Sequence, residues 1–160
     1  MRWLLRHQPQ PTRLHVARRT ITRSPGDASE LHEAVSLAQF GQLRRAGAFA
    51  LHWDANGLSY GIRREALLPL DSNASVLVNG SRAALYEARR GYPALLVVQI
   101  TADLKLLRQR LLARGRETPE VIKSRPSRSA LLPVVNVDAV IRNEGTPEQA
   151  GRLLIELLEP

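Results

Sequence analysis

Hydroxyl, amide and guanidinium side chains stand at the ends of short apolar runs in this chain, a placement suited to binding anions. Thr22-Arg23 follows Leu14 to Ile21, a run that predicts a strand. A hydroxyl and a guanidinium where a strand gives way to a turn converge on one anion, because the guanidinium grips phosphate through a planar fork. Asn56-Gly57-Leu58-Ser59-Tyr60-Gly61 combines a tight-turn signal with a phenol. Val78-Asn79-Gly80-Ser81-Arg82 closes another apolar run with an amide, a hydroxyl and a guanidinium. Arg108, Arg110, Arg114 and Arg116 lie close together, and Arg110 and Arg114 share one face of a predicted helix. Arg142-Asn143-Glu144-Gly145 follows the last predicted strand. Each group also has a plain structural reading: solvated arginines, an Asn-Gly hairpin with Tyr60 as packing, Ser81 as a helix N-cap, and an Asn turn before a helix.

Composition narrows the partners. The formal net charge is +8, and 21 arginines stand against two lysines, Lys105 and Lys123. Such a balance suits phosphorylated small molecules, nucleic acid or a membrane surface, and a base-composition bias toward Arg would produce the same excess. Nucleic-acid binding is therefore a second class of function, opposed by only seven aromatic residues and by the lack of a helix-turn-helix or RNA-binding signature. With no Cys, a disulfide framework and a thiolate metal site are excluded. There is no apolar run long enough to span a bilayer and no apolar signal region near Met1, so neither a membrane span nor secretion is expected.

Elements that would position these residues follow from periodicity and punctuation. Leu14 to Ile21 predicts a strand, and Ser24-Pro25-Gly26-Asp27 a turn. Ser36 predicts the N-cap of a helix running to Gly47 through Leu37, Phe40 and Leu43. Phe49 to Asp54 and Leu58 to Ile62 predict a hairpin around Asn56-Gly57, and Arg64 to Leu70 a short helix. Val76 to Val78 predicts a buried strand, Ala83 to Arg90 a helix stopped by Gly91, and Leu95 to Ile100 the most clearly buried strand. Ala102 to Arg114 predicts a helix ended by Gly115, with Leu104, Leu107 and Leu111 on one side. Val137 to Ile141 predicts a last strand, and Pro147 to Leu158 a helix with Thr146 as N-cap. Ser124 to Pro133 has no clear period. Alternating strands and helices imply an α/β fold with a mostly parallel sheet.

Two segments carry a resemblance. Ala48 to Ile62 (AFALHWDANGLSYGI) and Ser75 to Ala84 (SVLVNGSRAA) resemble the phosphoryl-acceptor half of guanylate-kinase-like kinases, and more closely the ribose 1,5-bisphosphate phosphokinases of phosphonate breakdown. The resemblance runs from Leu14 to Leu158. It implies a P-loop kinase-like three-layer α/β fold over residues 1–160 as a single domain, with an acceptor part at about 22–82 and a lid at about 108–128. The implied activity uses ATP and Mg²⁺ to convert ribose 1,5-bisphosphate to 5-phosphoribosyl 1-diphosphate. Thr22, Arg23, Tyr60, Asn79, Ser81 and Arg82 would bind the acceptor, with Gly61 freeing the backbone beside it. The lid residues Arg110, Arg114 and Arg116 would serve catalysis, and Asn143 would lie near adenine. A helix N-terminus behind Ser81 would add an anion site.

Departures from guanylate kinases sharpen the specificity. Leu51 stands where they place the Glu that reads guanine, and Val78-Asn79 replaces a strand ending in an acid. Asn79, Ser81 and Arg82 suit a sugar hydroxyl and a second phosphate. Ile122-Lys123-Ser124-Arg125-Pro126 departs from the family's Ile-x-x-Arg-Leu lid helix, because Pro126 ends a helix. Such kinases also begin with a strand and the loop G-x-x-x-x-G-K-[ST], whereas Met1 to Arg23 contain neither Gly nor Lys. The expectation is a chain lacking that first strand and loop, inactive alone. A gene start placed too late at Met1, a decaying gene, and a non-catalytic phosphosugar binder each account for it. A cytoplasmic protein is expected, with a phosphosugar substrate, no specific nucleic acid, no membrane, and a homodimer as an option.

Overall fold

The computed structural model describes residues 2–7, 13–23, 32–72, 74–115 and 136–158, which fall into two compact units, Met1–Pro93 and Ala94–Pro160. The first unit contains α1 (Arg2–His7), β1 (Leu14–Val16), β2 (Arg19–Ile21), β3 (His32–Ala34), α2 (Leu37–Arg45), β4 (Phe49–Ala55), β5 (Leu58–Arg63), a 3-10 helix (Arg64–Ser72), β6 (Ser75–Leu77), a 3-10 turn (Arg82–Ala84) and α3 (Leu85–Gly91). The second contains β7 (Val98–Thr101), α4 (Leu104–Arg114), β8 (Ala139–Arg142) and α5 (Pro147–Glu156).

Four strands in the order β3-β2-β5-β4 make the main sheet of the first unit, while β1 pairs with β6. Among the described residues the β1/β6, β2/β3 and β7/β8 pairings are parallel and β2/β5 and β4/β5 antiparallel, so the fold is α/β with parallel pairing in the majority. The run Leu14 to Ile21 is two strands rather than one. Ala17 still donates to the Leu77 carbonyl at 2.9 Å, and two residues later the chain has moved into the other sheet. Its local pattern is that of one strand because the pleat does not record which neighbour it pairs with.

The hairpin forms as its turn residues dictate. Asn56 and Gly57 both have positive φ, 51° and 74°, the two-residue turn whose twist matches antiparallel strands. Opposed residues share a face of the sheet. One face carries Ile21, Tyr60, Ile62 and Trp53, which join Ala17 and Ala84 in a buried cluster, with Ile62 fully buried. Burying each such side chain contributes about 1.5–3 kcal/mol. Against the other face lies α2, whose Phe40 stacks on Phe49 at 4.6 Å. Ser36 caps α2 reciprocally: its hydroxyl accepts from Gln39 N at 3.2 Å, and Gln39 Oε1 accepts from Ser36 N at 2.8 Å.

Several boundaries differ from expectation for identifiable reasons. Arg64 to Leu70 lies in a 3-10 helix reaching Ser72 with Pro69 inside it, and Pro69 has no N–H to bond. The segment Val76 to Val78 is half-buried, and Val78 lies past the end of β6. Gly91 is the last residue of α3 rather than its stop. Leu95 to Ile100 was expected to be deeply buried, but the strand begins at Val98 and Ile100 is 55% exposed. Here β7 pairs with β8 alone among the described residues, and the Asp138 carboxylate takes the Val97 N–H at 2.6 Å. In the second unit Asp103 caps α4, Gly115 ends it in the left-handed region at φ 62°, and Thr146 caps α5 in a box with Gln149. In α4, Leu111 is buried while Leu104 is exposed.

Gly61 has a different role from the one expected. A Cβ there would fall on the Phe49 ring, so its lack of a side chain lets Phe49 cover β5. Gly61→Ala should therefore destabilise the protein by about 1–3 kcal/mol through overpacking, read as a lower urea midpoint. An unchanged midpoint would mean that Phe49 swings aside without loss.

Candidate functional site

The β2–β5 pairing brings the acceptor candidates of the first unit together. Arg19, Thr20 and Ile21 lie opposite Ile62, Gly61 and Tyr60. Beyond the ladder, Thr22 N donates to the Ser59 carbonyl at 3.1 Å, and Ser59 N donates to Thr22 Oγ1 at 2.9 Å. The Thr22 hydroxyl thus accepts one bond and keeps its proton to donate. The chain turns at once, since Arg23 N donates to the Ile21 carbonyl at 2.8 Å. Tyr60 stacks on Trp53 with centroids 5.6 Å apart and planes 2° apart, which fixes the ring. Its ring is buried, and among the described residues no hydrogen bond occupies its hydroxyl. Thr22 and Arg23 thus lie where β2 ends beside Ser59, next in the ladder to Tyr60.

Asn79, Ser81 and Arg82 occupy the segment between Val78 and Ala84, both of which pack with the cluster that contains Tyr60. Both readings of Ser81 bear on this segment. Its hydroxyl accepts from Ala83 N at 3.4 Å, so it caps the 3-10 turn. The expected helix N-terminus is not there, because α3 starts only at Leu85 and has no side-chain cap. Leu51 packs against the same cluster and offers nothing to a purine edge.

Four residues beside this site had no signal in the sequence. The Arg19 guanidinium lies over the Tyr60 ring, 5.5 Å from its centroid. On the opposite face, the fully buried Thr20 donates to Glu33 Oε2 at 2.6 Å, and Arg63 holds the same carboxylate through Nη2 at 2.6 Å and Nε at 3.2 Å. Burial alone would raise the Glu33 carboxyl; the Thr20 and Arg63 hydrogen bonds and the charges of Arg63 and Arg18 outweigh it and hold it below its ordinary value. This network ties β2, β3 and β5 into one register. Only the strand pairing would have revealed it, since its members are far apart in sequence.

In the second unit Arg110 is placed unexpectedly. Its fork donates to the backbone carbonyls of Asn143 at 2.6 Å and Gly145 at 2.8 Å. That guanidinium holds the loop after β8 rather than facing solvent as a lid cation. Asn143 N donates to the Thr101 carbonyl at 2.7 Å, while its Oδ1 is buried without a hydrogen-bond partner. Arg114 ends α4, and Arg116, Pro126 and the rest of the expected lid lie outside the described residues, as does the Ser24 to Asp27 turn. Other arginines have the bland role: Arg90 with Glu87 and Arg152 with Glu148 form exposed ion pairs. Among the described residues no three His, Asp or Glu side chains cluster as a metal site, and no helix is long and apolar enough to cross a membrane.

Known proteins share both the sequence and the fold. The chain is 46% identical over 144 residues to the ribose 1,5-bisphosphate phosphokinase PhnN of Azotobacter vinelandii, covering 89% of this chain and 79% of that protein. It is 39% identical over 155 residues to the PhnN of Rhizobium etli, covering 96% and 79%. The chain belongs to the ribose 1,5-bisphosphate phosphokinase family. No family model matches it. Guanylate kinase from Anaplasma phagocytophilum superposes with a TM-score of 0.69 at 19% identity, over 98% of this chain and 78% of that one, so the phosphokinase has a guanylate-kinase-like fold.

Because the folded-state Glu33 carboxyl titrates below its unfolded value, its stabilising contribution is fully present above about pH 4.3 and is lost as pH falls through the lowered folded value. Wild-type stability should therefore fall more steeply between about pH 5 and pH 3 than that of Glu33→Gln. Parallel urea-midpoint curves would mean that Thr20 and Arg63 give the carboxylate no net stabilisation.

Proposed function

We propose that this protein binds ribose 1,5-bisphosphate as the acceptor in an ATP-dependent phosphoryl transfer that yields 5-phosphoribosyl 1-diphosphate and ADP. The observation that carries the reading is the strand register that sets Thr22 and Arg23, at the end of β2, beside the Ser59-Tyr60 segment of β5, with apolar Leu51 packed against the cluster that contains Tyr60. The names of the relatives support the substrate. The reading puts the enzyme in the cytoplasm, where ATP is available.

An oxygen of the 1-phosphate forms a bond to the γ-phosphorus, the bond from that phosphorus to the β,γ-bridging oxygen breaks, and ADP leaves. No side chain becomes covalently bound, so positioning and charge neutralisation supply the catalysis. Thr22, Arg23 and Tyr60 hold one acceptor phosphate, and Asn79, Ser81 and Arg82 hold sugar hydroxyls and the second. The family resemblance gives Arg114 and Arg116 the role of neutralising charge on the transferred group. Arg110 steadies the Asn143 loop, leaving Asn143 Oδ1 to accept from the adenine amine. These 160 residues contain no G-x-x-x-x-G-K-[ST], and neither Lys105 nor Lys123 follows a Gly. Among the described residues no acidic cluster fits a Mg²⁺ site either. A magnesium ion would arrive on the ATP phosphates as part of the substrate.

Arg23→Ala should weaken ribose 1,5-bisphosphate binding at least tenfold, since one charge-assisted hydrogen bond contributes about 1.5–3 kcal/mol. An unchanged dissociation constant in calorimetry would return Arg23 to a solvated role. A polypeptide of these 160 residues should show no ATP turnover. The same residues preceded by a strand and a phosphate loop should convert ribose 1,5-bisphosphate and leave GMP untouched. Robust GMP phosphorylation would overturn the substrate, and turnover by the shorter polypeptide would require a different phosphate site.

A further inference from the structure

We infer that Asp54 is a positioning residue of the acceptor site, holding Ser59 so that the Ser59 amide sets the direction in which the Thr22 hydroxyl donates; this role rests on the acceptor reading above. A phosphate at the end of β2 gains most from Thr22 when that proton already points at it, because no rotor freedom is then lost on binding. A hydroxyl has one proton and two lone pairs, and a donor fixed on one lone pair confines the proton to the remaining directions. The Ser59 N–H is that donor, 2.9 Å from Thr22 Oγ1. The Thr22 hydroxyl makes no other hydrogen bond among the described residues, so its proton stays available.

Asp54 acts from the strand on the other side of Ser59. It lies directly across the hairpin from Ser59, next to the Ala55–Leu58 pair that closes the Asn56-Gly57 turn. Both backbone groups of Ser59 face β2: its N–H goes to Thr22 Oγ1, and its carbonyl accepts from Thr22 N at 3.1 Å. Asp54 and Ser59 are therefore a pair that exchanges no ladder bonds. In antiparallel strands such pairs bring their side chains closest, with Cα atoms about 4.5 Å apart. Here the side chains supply the link, because Ser59 Oγ donates to Asp54 Oδ1 at 2.6 Å. The place makes the bond consequential. The β2–β5 ladder ends at Ile21 and Tyr60, and beyond it the described hairpin tip meets β2 through the Thr22–Ser59 pair. A hydrogen bond to a carboxylate across the tip holds Ser59 still, and with it the amide that faces Thr22. It also commits the Ser59 proton to Asp54, so the Ser59 hydroxyl does not compete with its own amide for Thr22 Oγ1. Neither residue belongs to the buried cluster, so the effect is on the hairpin tip rather than on the core.

The test is ribose 1,5-bisphosphate binding, measured by calorimetry on wild type, Thr22→Val, Asp54→Ala, Asp54→Asn and Ser59→Ala, with Asp54→Ala also placed in the Thr22→Val background. Asp54→Ala and Ser59→Ala should each weaken binding about threefold to tenfold, the range of one hydrogen bond, and either serves if the other does not fold. Asp54→Asn should bind within about twofold of wild type, because its amide oxygen still accepts from Ser59. Tighter binding by Asp54→Asn would mean that the carboxylate acts by repelling phosphate, and would overturn the positioning role. In the Thr22→Val background Asp54→Ala should weaken binding no further, since the hydroxyl it acts through is gone. Amide hydrogen exchange without ligand should be faster at Ser59 in Asp54→Ala and unchanged at Ile62. A wild type that does not bind ribose 1,5-bisphosphate, or a Thr22→Val that binds as wild type does, would overturn the acceptor reading and the Asp54 role together. If Thr22→Val weakens binding while Asp54→Ala and Ser59→Ala do not, or if the Asp54→Ala loss persists in full in Thr22→Val, the Asp54 role alone is overturned.

Discussion

Residues near position 20 and near position 60 meet in this molecule only because β2 and β5 run antiparallel in one register. Ile21 lies against Tyr60, and Thr22 and Ser59 exchange two hydrogen bonds just past the ladder. A shift of one residue would send Tyr60 to the face where α2 packs and carry Thr20 into the apolar cluster. The placement of Thr22 beside Ser59, the stacked Trp53–Tyr60 pair and the Arg19 contact all inherit their geometry from that register.

Both faces of the sheet defend it. On one, Ile21, Tyr60, Ile62 and Trp53 bury against Ala17 and Ala84. On the other, a buried hydroxyl, a carboxylate and a guanidinium from three strands satisfy one another. Loss of any member of that network would leave buried polar groups unpaired, which is more expensive than the net worth of the bonds. Phe49 closes over Gly61 beside the network, and the Arg63 guanidinium lies over its ring at 5.6 Å. The polar network therefore acts as a register lock on the face opposite Tyr60.

Much of this was legible in the chain because local chemistry set it. Ser36 and Thr146 cap helices, Gly115 ends one, and Asn56-Gly57 turns a hairpin, each through bonds or dihedrals made by close neighbours. Leu51 and the Asn-Gly-x-x-Tyr-Gly segment signalled the family. What stayed hidden depends on partners distant in sequence. The split of Leu14 to Ile21 between two sheets, the exposure of Ile100, the role of Gly61 under Phe49 and the attachment of Arg110 to the Asn143 loop have no local signature. Arg19 is the clearest case. Among so many arginines, nothing but strand register distinguishes it from a solvated one.

The central claim is that an acceptor phosphate sits between Tyr60 and the Thr22-Arg23 turn, and a crystal structure of the protein with ribose 1,5-bisphosphate tests it most directly. Phosphate oxygens should lie within about 2.7–3.2 Å of the Tyr60 hydroxyl and the Arg23 guanidinium. A sugar bisphosphate bound instead on the α2 side of the sheet, in the open cleft between Gln39 and Arg63, with Tyr60 untouched, would contradict it.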